Sequence, residues 1–191
     1  IHYCNHDISI KIWSEDRIVN NKKTIPWWRV NFSEDDIAKV SESIRNDKMS
    51  MGSVTEEFEQ RMGEALNVPY VVATGSGSIS LLMSMMALGI EPGDEVIIPN
   101  RTWIATAHAP MILGAKPVLV DVLPDRPIMD TSLIKEKINS KTKAIIPVQL
   151  CGCAVEMDEV WEIAKEYNLA VVEDTAQALF SKYNGTYMGT Q

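Results

Sequence analysis

The feature that most constrains the fold is a regular alternation of short apolar runs with longer helical patterns, between Tyr70 and Glu173. The apolar runs lie at Tyr70–Thr74, Glu95–Ile98, Pro117–Asp121, Lys143–Val148 and Leu169–Glu173, and the helical patterns at Ser76–Leu88, Trp103–Leu113, Thr131–Ile138 and Met157–Tyr167. Such alternation is typical of βαβ units. We therefore predict an α/β fold with a mostly parallel sheet, right-handed crossovers and helices on both faces. The apolar character of Ser76–Leu88 predicts that this helix is buried.

The residues on either side of this pattern predict how the chain is organised. Residues 1–24 form an N-terminal arm, and residues 25–191 form the N-terminal part of a large domain. Two helices open that domain, one from Ser33 to about Asn46 with Asp36 completing a near capping box, and one over Val54–Leu66. An Asn-Gly turn predicts a hairpin over Tyr183–Tyr187. No closing element follows, so we expect further sheet strands and a second domain beyond Gln191.

Composition and charge argue against several classes of function. The net charge of −8, without a run of Lys and Arg, argues against a nucleic-acid surface. No apolar stretch reaches the ~18 residues of a membrane span, and Ile1–Ile12 is not a secretory signal, so we expect a cytoplasmic protein. His2, Cys4 and His6 alternate, but no second ligand pair follows, so we predict no metal site.

Two carboxylates, Glu173 and Asp174, stand at the end of the last predicted strand, where open α/β sheets place their ligands. A carboxylate held there is costly without a cation, and the nearest basic residue in sequence after Asp174 is Lys182. The cation could therefore come from a ligand. The alternative is that Asp174 only caps a turn.

The segment Ala73–Ile79 runs from a predicted strand through two glycines into a helix. The free N–H groups at this helix start, with the hydroxyls of Ser76 and Ser78, favour a phosphate site that includes Gly77, Ser78 and Ile79. Ser80 stands where a dinucleotide-binding motif would need its third glycine, and no Gly-Lys-Ser/Thr of a P-loop is present. A serine-capped turn without ligand is the alternative.

Trp103 follows the strand that ends at Ile98, and its indole could cover one face of a flat ligand. A buried tryptophan without a ligand is the commoner case. Taken together, a phosphate site, an aromatic plate and an acid at one sheet edge fit pyridoxal 5′-phosphate. Asp174 would keep the pyridine nitrogen protonated, and Gln177 could donate to the ring hydroxyl.

With these residues, the chain resembles the DegT/DnrJ/EryC1/StrS family of sugar aminotransferases over residues 25–191. The matching segments are Gly75–Leu81, Pro92–Ile97, Thr102–Thr106, Gly114–Val118, Lys141–Ile146 and Glu173–Ala178. The resemblance implies a pyridoxal-phosphate-dependent transferase-like large domain, incomplete at its C-terminus, in a homodimer with shared active sites. It implies transfer of an amino group, usually from glutamate, to a keto group on a nucleotide-linked sugar, as in cell-surface polysaccharide or secondary-metabolite sugar biosynthesis.

The resemblance also assigns the site. Its phosphate-binding residues are similar to Ser78 and the amide of Ile79, its ring-stacking aromatic to Trp103, its pyridinium partner to Asp174 and its ring-hydroxyl partner to Gln177. The family's Schiff-base lysine would lie just after Gln191, so we name no catalytic residue and expect the 191 residues alone to be inactive.

The family's Schiff-base lysine is not found within the 191 residues, and this leaves two alternatives open. Lys182 precedes the predicted hairpin and lies too close to Asp174 in sequence to replace the lysine easily, and Gln149 stands where many members have histidine. One alternative is a dehydratase of the same fold, in which histidine replaces the lysine. The other is a catalytically inactive truncated homologue.

Overall fold

A computed structural model describes residues 18–19, 22–23 and 30–190. The chain divides into two compact units, residues 1–56 and 57–191, which are described separately. The boundary predicted at residue 24 and the His2, Cys4 and His6 group lie outside the described residues. None of the helices among the described residues is long and apolar enough to cross a bilayer.

The first unit contains a short antiparallel pair, β1 (Ile18–Val19) and β2 (Lys22–Lys23), and helix α1 (Glu34–Arg45). The predicted capping box is confirmed. The Ser33 N–H donates to the Asp36 carboxylate at 2.8 Å, and the Asp36 N–H donates to the Ser33 hydroxyl at 3.2 Å. Helix α1 is capped by Asn46, as predicted, and α2 (Ser53–Leu66) begins in this unit and continues into the second.

The second unit is built on a four-stranded sheet of order β4-β3-β5-β6 in which every pairing is parallel. Its strands are β3 (Glu95–Pro99), β4 (Lys116–Val120), β5 (Thr142–Ile145) and β6 (Ala170–Val171). The predicted parallel sheet is therefore confirmed. Backbone hydrogen bonds continue past β6, since the Asp174 N–H donates to the Pro147 carbonyl at 2.9 Å. This pairing fixes the backbone of Asp174 at the edge of the sheet.

Helices cover both faces of the sheet, because alternate strand residues point to opposite sides. Val96 and Ile98 pack in one core with α3 (Gly77–Ala87) and α4 (Ala105–Ile112). Ile97 packs in the other core, with α5 (Met157–Tyr167). Each face buries apolar side chains of the kind that stabilise such layers. The predicted placement of helices on both faces is confirmed.

The strand predicted over Tyr70–Thr74 does not form. A strand needs a neighbour to share its backbone hydrogen bonds, and none of the strands in the described residues pairs with this segment. The Ala73 N–H donates instead to the Glu59 carboxylate at 2.7 Å, and the side chains of Tyr70 and Val72 are exposed. Periodicity identifies the apolar pattern, but it does not reveal the partner on which strand pairing depends.

Two helix predictions were also wrong in part. The helix predicted over Thr131–Ile138 is a pair of 3₁₀ turns, Thr131–Leu133 and Lys135–Lys137, in a stretch too short to gain much from helix propagation. Helix α3 forms as predicted, but only one side is buried. Its exposed side carries the apolar residues Ile79, Met83 and Met86.

The predicted Asn-Gly hairpin is confirmed as β7 (Lys182–Tyr183) and β8 (Thr186–Tyr187). Asn184 and Gly185 both have positive φ, 48° and 85°, as a two-residue hairpin turn of type I′ requires. The hydroxyl of Tyr183 and the side-chain amide of Asn184 both donate to Asp158 in the first turn of α5. These bonds attach the hairpin to the helix.

Replacing Gly114 with alanine is expected to lower the free energy of unfolding by about 2–4 kcal/mol. Gly114 has φ of +81°, and a Cβ there would lie 2.9 Å from Cγ of Pro92. The loss therefore combines left-handed strain with a steric clash. Gly89→Ala is the control, because Gly89 has φ of +69° but no atom within 4 Å of the position that a Cβ would take. Urea unfolding of both variants measures the difference, and equal losses would show that the clash contributes nothing.

Candidate functional site

One cleft of about 220 Å³ brings together five of the six residues predicted to bind the cofactor. It is lined by Gly77, Ser78, Leu81, Trp103, Ala105, Thr106, Asp174, Ala176 and Gln177. The sixth predicted residue, Ile79, is not among them, and its N–H donates to the Ser76 hydroxyl at 3.3 Å. The cleft lies at the N-terminus of α3, beside the segments that follow β3 and β6.

The N-terminus of α3 carries unused hydrogen-bond donors. Ser76 caps the helix with extended backbone, and the Thr74 hydroxyl donates to the Ser76 carbonyl at 3.1 Å. Within the described residues, the N–H groups of Gly77 and Ser78 and the hydroxyl of Ser78 donate to no other group. Gly77 has no atom within 4 Å of the position a Cβ would take, so the space beside it is open. The free donors and the helix dipole together make this helix N-terminus a candidate anion-binding site.

Trp103 is 71% exposed, so the alternative of a buried tryptophan is wrong. It lies between β3 and α4, and its carbonyl accepts from the Thr106 N–H at 3.1 Å, which begins the turn into α4. A ligand that covers an exposed indole gains free energy by burying its apolar surface. Its position offers an aromatic surface to a flat ligand.

Asp174 is half-buried and accepts two hydrogen bonds with different oxygens. Oδ1 accepts from the Ala176 N–H at 3.2 Å, which closes a local turn, and Oδ2 accepts from the Thr106 hydroxyl at 3.3 Å. The turn-capping alternative is therefore correct for one oxygen, while the other accepts from Thr106, which also lines the cleft. None of the ion pairs in the described part of the chain includes Asp174. A carboxylate in this setting favours a cationic ligand.

Thr106 is a site residue that sequence reasoning missed. It is fully buried, donates to Asp174, and shares a hydroxyl–hydroxyl hydrogen bond of 2.9 Å with Thr102. The two threonines stand four residues apart across the start of α4, a spacing that places side chains on one face of a helix. The spacing of the two threonines is visible in the sequence. The contact of Thr106 with Asp174, 68 positions later, is visible only in the folded structure.

Gln177 lines the cleft with its amide in a defined orientation. The Cys151 N–H donates to the Gln177 side chain at 2.9 Å. Because a backbone N–H can only donate, the atom facing it is the carbonyl oxygen Oε1. The NH₂ group of Gln177 therefore keeps its two donors for a ligand or solvent.

Lys182 does not line the cleft. Its ammonium lies 4.5 Å from the ring centroid of Tyr187, across the hairpin. This contact is a cation–π interaction, and it directs the side chain onto the hairpin. The arrangement agrees with the expectation that Lys182 is a poor substitute for the family's lysine.

The second carboxylate of the pair, Glu173, has a structural role. Its Oε1 accepts from the side-chain amide of Gln149 at 2.7 Å, and the Gly189 N–H donates to it as well. Burial nevertheless raises the pKa of Glu173 above 4.5, because desolvation outweighs the two hydrogen bonds. Neighbouring carboxylates in sequence thus serve different purposes.

The raised pKa of Glu173 predicts a pH effect on stability. Between pH 4.5 and the higher folded pKa, the folded state binds more protons than the unfolded state, so this group's contribution to stability falls as pH rises. Glu173→Gln removes that ionisation. The Tm of Glu173→Gln minus the Tm of wild type, measured by thermal unfolding, is therefore expected to increase from pH 4 to pH 7. A difference independent of pH would contradict the prediction.

Comparison with known proteins finds two curated relatives of similar sequence. It is 38% identical over 169 residues to GDP-perosamine synthase of Escherichia coli O157:H7, covering 88% of this chain and 46% of that protein. It is 34% identical over 165 residues to UDP-4-amino-4-deoxy-L-arabinose–oxoglutarate aminotransferase of Shewanella sediminis (strain HAW-EB3), covering 86% of this chain and 42% of that protein. The chain therefore spans less than half the length of either relative.

The chain also matches a solved structure and a family model. The structure of NtdA from Bacillus subtilis, solved with the bound cofactor PMP, matches with a TM-score of 0.77 and 35% identity over 81% of this chain and 36% of that one. The family model described as the DegT/DnrJ/EryC1/StrS aminotransferase family matches residues 31–191. The chain belongs to the DegT/DnrJ/EryC1/StrS aminotransferase family.

Proposed function

We propose that the protein supplies the cofactor-binding part of an aminotransferase that uses pyridoxal 5′-phosphate to place an amino group on a nucleotide-linked keto sugar. The observation that carries the proposal is that one cleft brings together the N-terminus of α3, the exposed indole of Trp103 and the carboxylate of Asp174. Family membership and the relatives' names support the reaction class.

The donor set of the cleft fits this cofactor. The N–H groups of Gly77 and Ser78 and the Ser78 hydroxyl would hold the phosphate, and Trp103 would cover the ring. Asp174 would hold the pyridine nitrogen in its protonated form, and the amide of Gln177 would donate to the ring oxygen. When bound, the cofactor supplies an electron sink for the carbon that carries the amino group.

The sugar and its nucleotide are left open by the relatives, since one is named for a GDP-linked and the other for a UDP-linked sugar. The proposal is therefore made for nucleotide-linked keto sugars as a class. We propose glutamate as the amino donor, because one relative is named for its coupling to oxoglutarate. We also propose a homodimer, and the exposed apolar side of α3 is consistent with a covered surface there.

The test of the proposed function is retention of the cofactor. The complete enzyme, incubated with pyridoxal 5′-phosphate and then desalted, is expected to keep an absorption band near the edge of the visible range, and hydroxylamine should remove that band. The complete enzyme with glutamate and a nucleotide-linked keto sugar should then release 2-oxoglutarate. A complete enzyme that shows no such band, even after incubation with an excess of pyridoxal 5′-phosphate, would refute the proposal.

Thr106→Val is expected to weaken binding of pyridoxal 5′-phosphate about tenfold, because a carboxylate no longer fixed by the Thr106 hydroxyl has more conformational freedom to lose when the ring binds. Valine keeps the shape of threonine but cannot donate to Asp174. Thr106→Ser is the matched control, because serine keeps the hydroxyl, and its affinity should remain within about twofold of wild type. Cofactor titration followed by absorbance measures both variants. Equal losses in the two would assign the effect to packing.

A further inference from the structure

Gln149 joins the loop after β5 to both residues of the Glu173–Asp174 pair. Its side chain is fully buried, with Oε1 accepting from the Val155 N–H and Nε2 donating to Glu173, both at 2.7 Å. Its backbone N–H donates to the Asp174 carbonyl at 3.0 Å. A buried amide with both ends satisfied rigidifies its surroundings, because every alternative position leaves a polar group unpaired.

The loop that Gln149 fixes is a tight turn. The Gly152 N–H donates to the Gln149 carbonyl at 3.2 Å, and Cys151 and Gly152 have φ of 56° and 76°. Cys151 is uncommon in this left-handed region, where a non-glycine residue is strained by roughly 1–2 kcal/mol. This conformation directs the Cys151 N–H to Oε1 of Gln177 at 2.9 Å. The strained turn thus contacts the side chain that lines the cleft.

We propose that Gln149 is a positioning residue that, through the turn at Cys151 and Gly152, sets the orientation of the Gln177 amide. With Oε1 occupied by the Cys151 N–H, the part of this amide left for a ligand in the cleft is Nε2, which can only donate. The cleft therefore selects a ring that carries an acceptor oxygen, such as a deprotonated ring hydroxyl. The choice of ligand rests on the proposed function, whereas the link from Gln149 to Gln177 does not.

A double-mutant cycle on cofactor affinity tests the link. Gln149→Leu and Gln177→Leu should each weaken binding of pyridoxal 5′-phosphate about tenfold, the effect of one hydrogen bond to a charged oxygen. If Gln149 acts through Gln177, the double variant should bind no more weakly than Gln177→Leu alone. Losses that multiply to about 100-fold would overturn the proposal, because they would show two independent effects.

Amide hydrogen exchange of the cofactor-free protein provides a second readout. The Cys151 N–H should exchange several-fold faster in both Gln149→Leu and Gln177→Leu than in wild type. The Ile146 N–H, which donates to the Ile97 carbonyl at 2.8 Å, is the internal reference for global unfolding. Gln177 is exposed, so its variant should fold even where Gln149→Leu does not.

The two readouts separate the possible failures. If wild type binds no cofactor, the proposed function fails, while the exchange data still decide the link between the turn and Gln177. If Cys151 exchange is unchanged in Gln177→Leu, the positioning role is wrong even where the cofactor binds. Val160→Ala, which removes buried atoms of α5, should lower stability and speed exchange of the Ile146 N–H through global unfolding, while exchange of the Cys151 N–H through local opening stays nearly unchanged.

Discussion

Asp174→Asn is expected to weaken binding of pyridoxal 5′-phosphate by about 100-fold. Asparagine keeps the size of the side chain and can still accept from the Ala176 N–H, so the local turn should survive. It carries no charge, and a protonated ring nitrogen would lose its counter-ion in a half-buried site. Titration of the cofactor into wild type and variant, followed by absorbance, gives the ratio of dissociation constants.

Asp121→Asn is the matched control for that experiment. Asp121 directly follows β4 in the same sheet, but it is exposed, bonds to Asn100 and does not line the cleft. The same loss of charge there should leave cofactor affinity within about twofold, because exposed charges are well screened. Similar losses at Asp121 and Asp174 would mean that net charge, and not contact with the ring, governs binding.

Ser78→Asp is expected to reduce cofactor affinity by at least about 100-fold while leaving α3 as stable as before. The new carboxylate would occupy the candidate anion-binding site. A carboxylate and a phosphate charge ~4 Å apart repel by about 4 kcal/mol where the effective dielectric constant is ~20. The same carboxylate interacts favourably with the helix dipole at an N-terminus. The two effects have opposite signs, so a loss of binding without a loss of stability would assign the effect to phosphate repulsion.

Two controls accompany Ser78→Asp. Ser78→Ala removes the hydroxyl without adding charge, and a loss of about threefold to tenfold is expected for one hydrogen bond. Ser53→Asp adds the same charge at the first residue of α2, which does not line the cleft, and should leave affinity unchanged. Affinity and thermal unfolding are measured on all three variants. Tight binding by Ser78→Asp would place the phosphate elsewhere.

The sequence predicted those parts of the fold that depend on local chemistry or on simple periodicity. The capping box of Ser33 and Asp36 and the turn at Asn184 and Gly185 are local, and both formed as predicted. The parallel strands followed from apolar runs separated by helices. The segment Tyr70–Thr74 had the same apolar pattern, but none of the strands that the structure describes pairs with it, so the pattern alone could not decide its pairing.

The candidate site divides in the same way. Trp103, Asp174 and Gln177 were predicted because each follows an apolar run, and ends of parallel strands meet at one edge. Thr106 and the turn at Cys151 were missed, because their importance depends on hydrogen bonds across 68 and 26 positions of sequence. Residues at the ends of parallel strands can be predicted from the order of elements along the chain. The residues that hold them in place can be identified only from the three-dimensional structure.

The attachment of Asp174 to the sheet has a consequence for the thermodynamics of ligand capture. Its N–H and carbonyl are bonded to Pro147 and Gln149, and its carboxylate is held by Thr106 and Ala176. The acid is thus preorganised, and little conformational entropy remains to be lost when a cation arrives. A ligand should therefore bind at Asp174 without rearrangement of the carboxylate, at a rate set by diffusion.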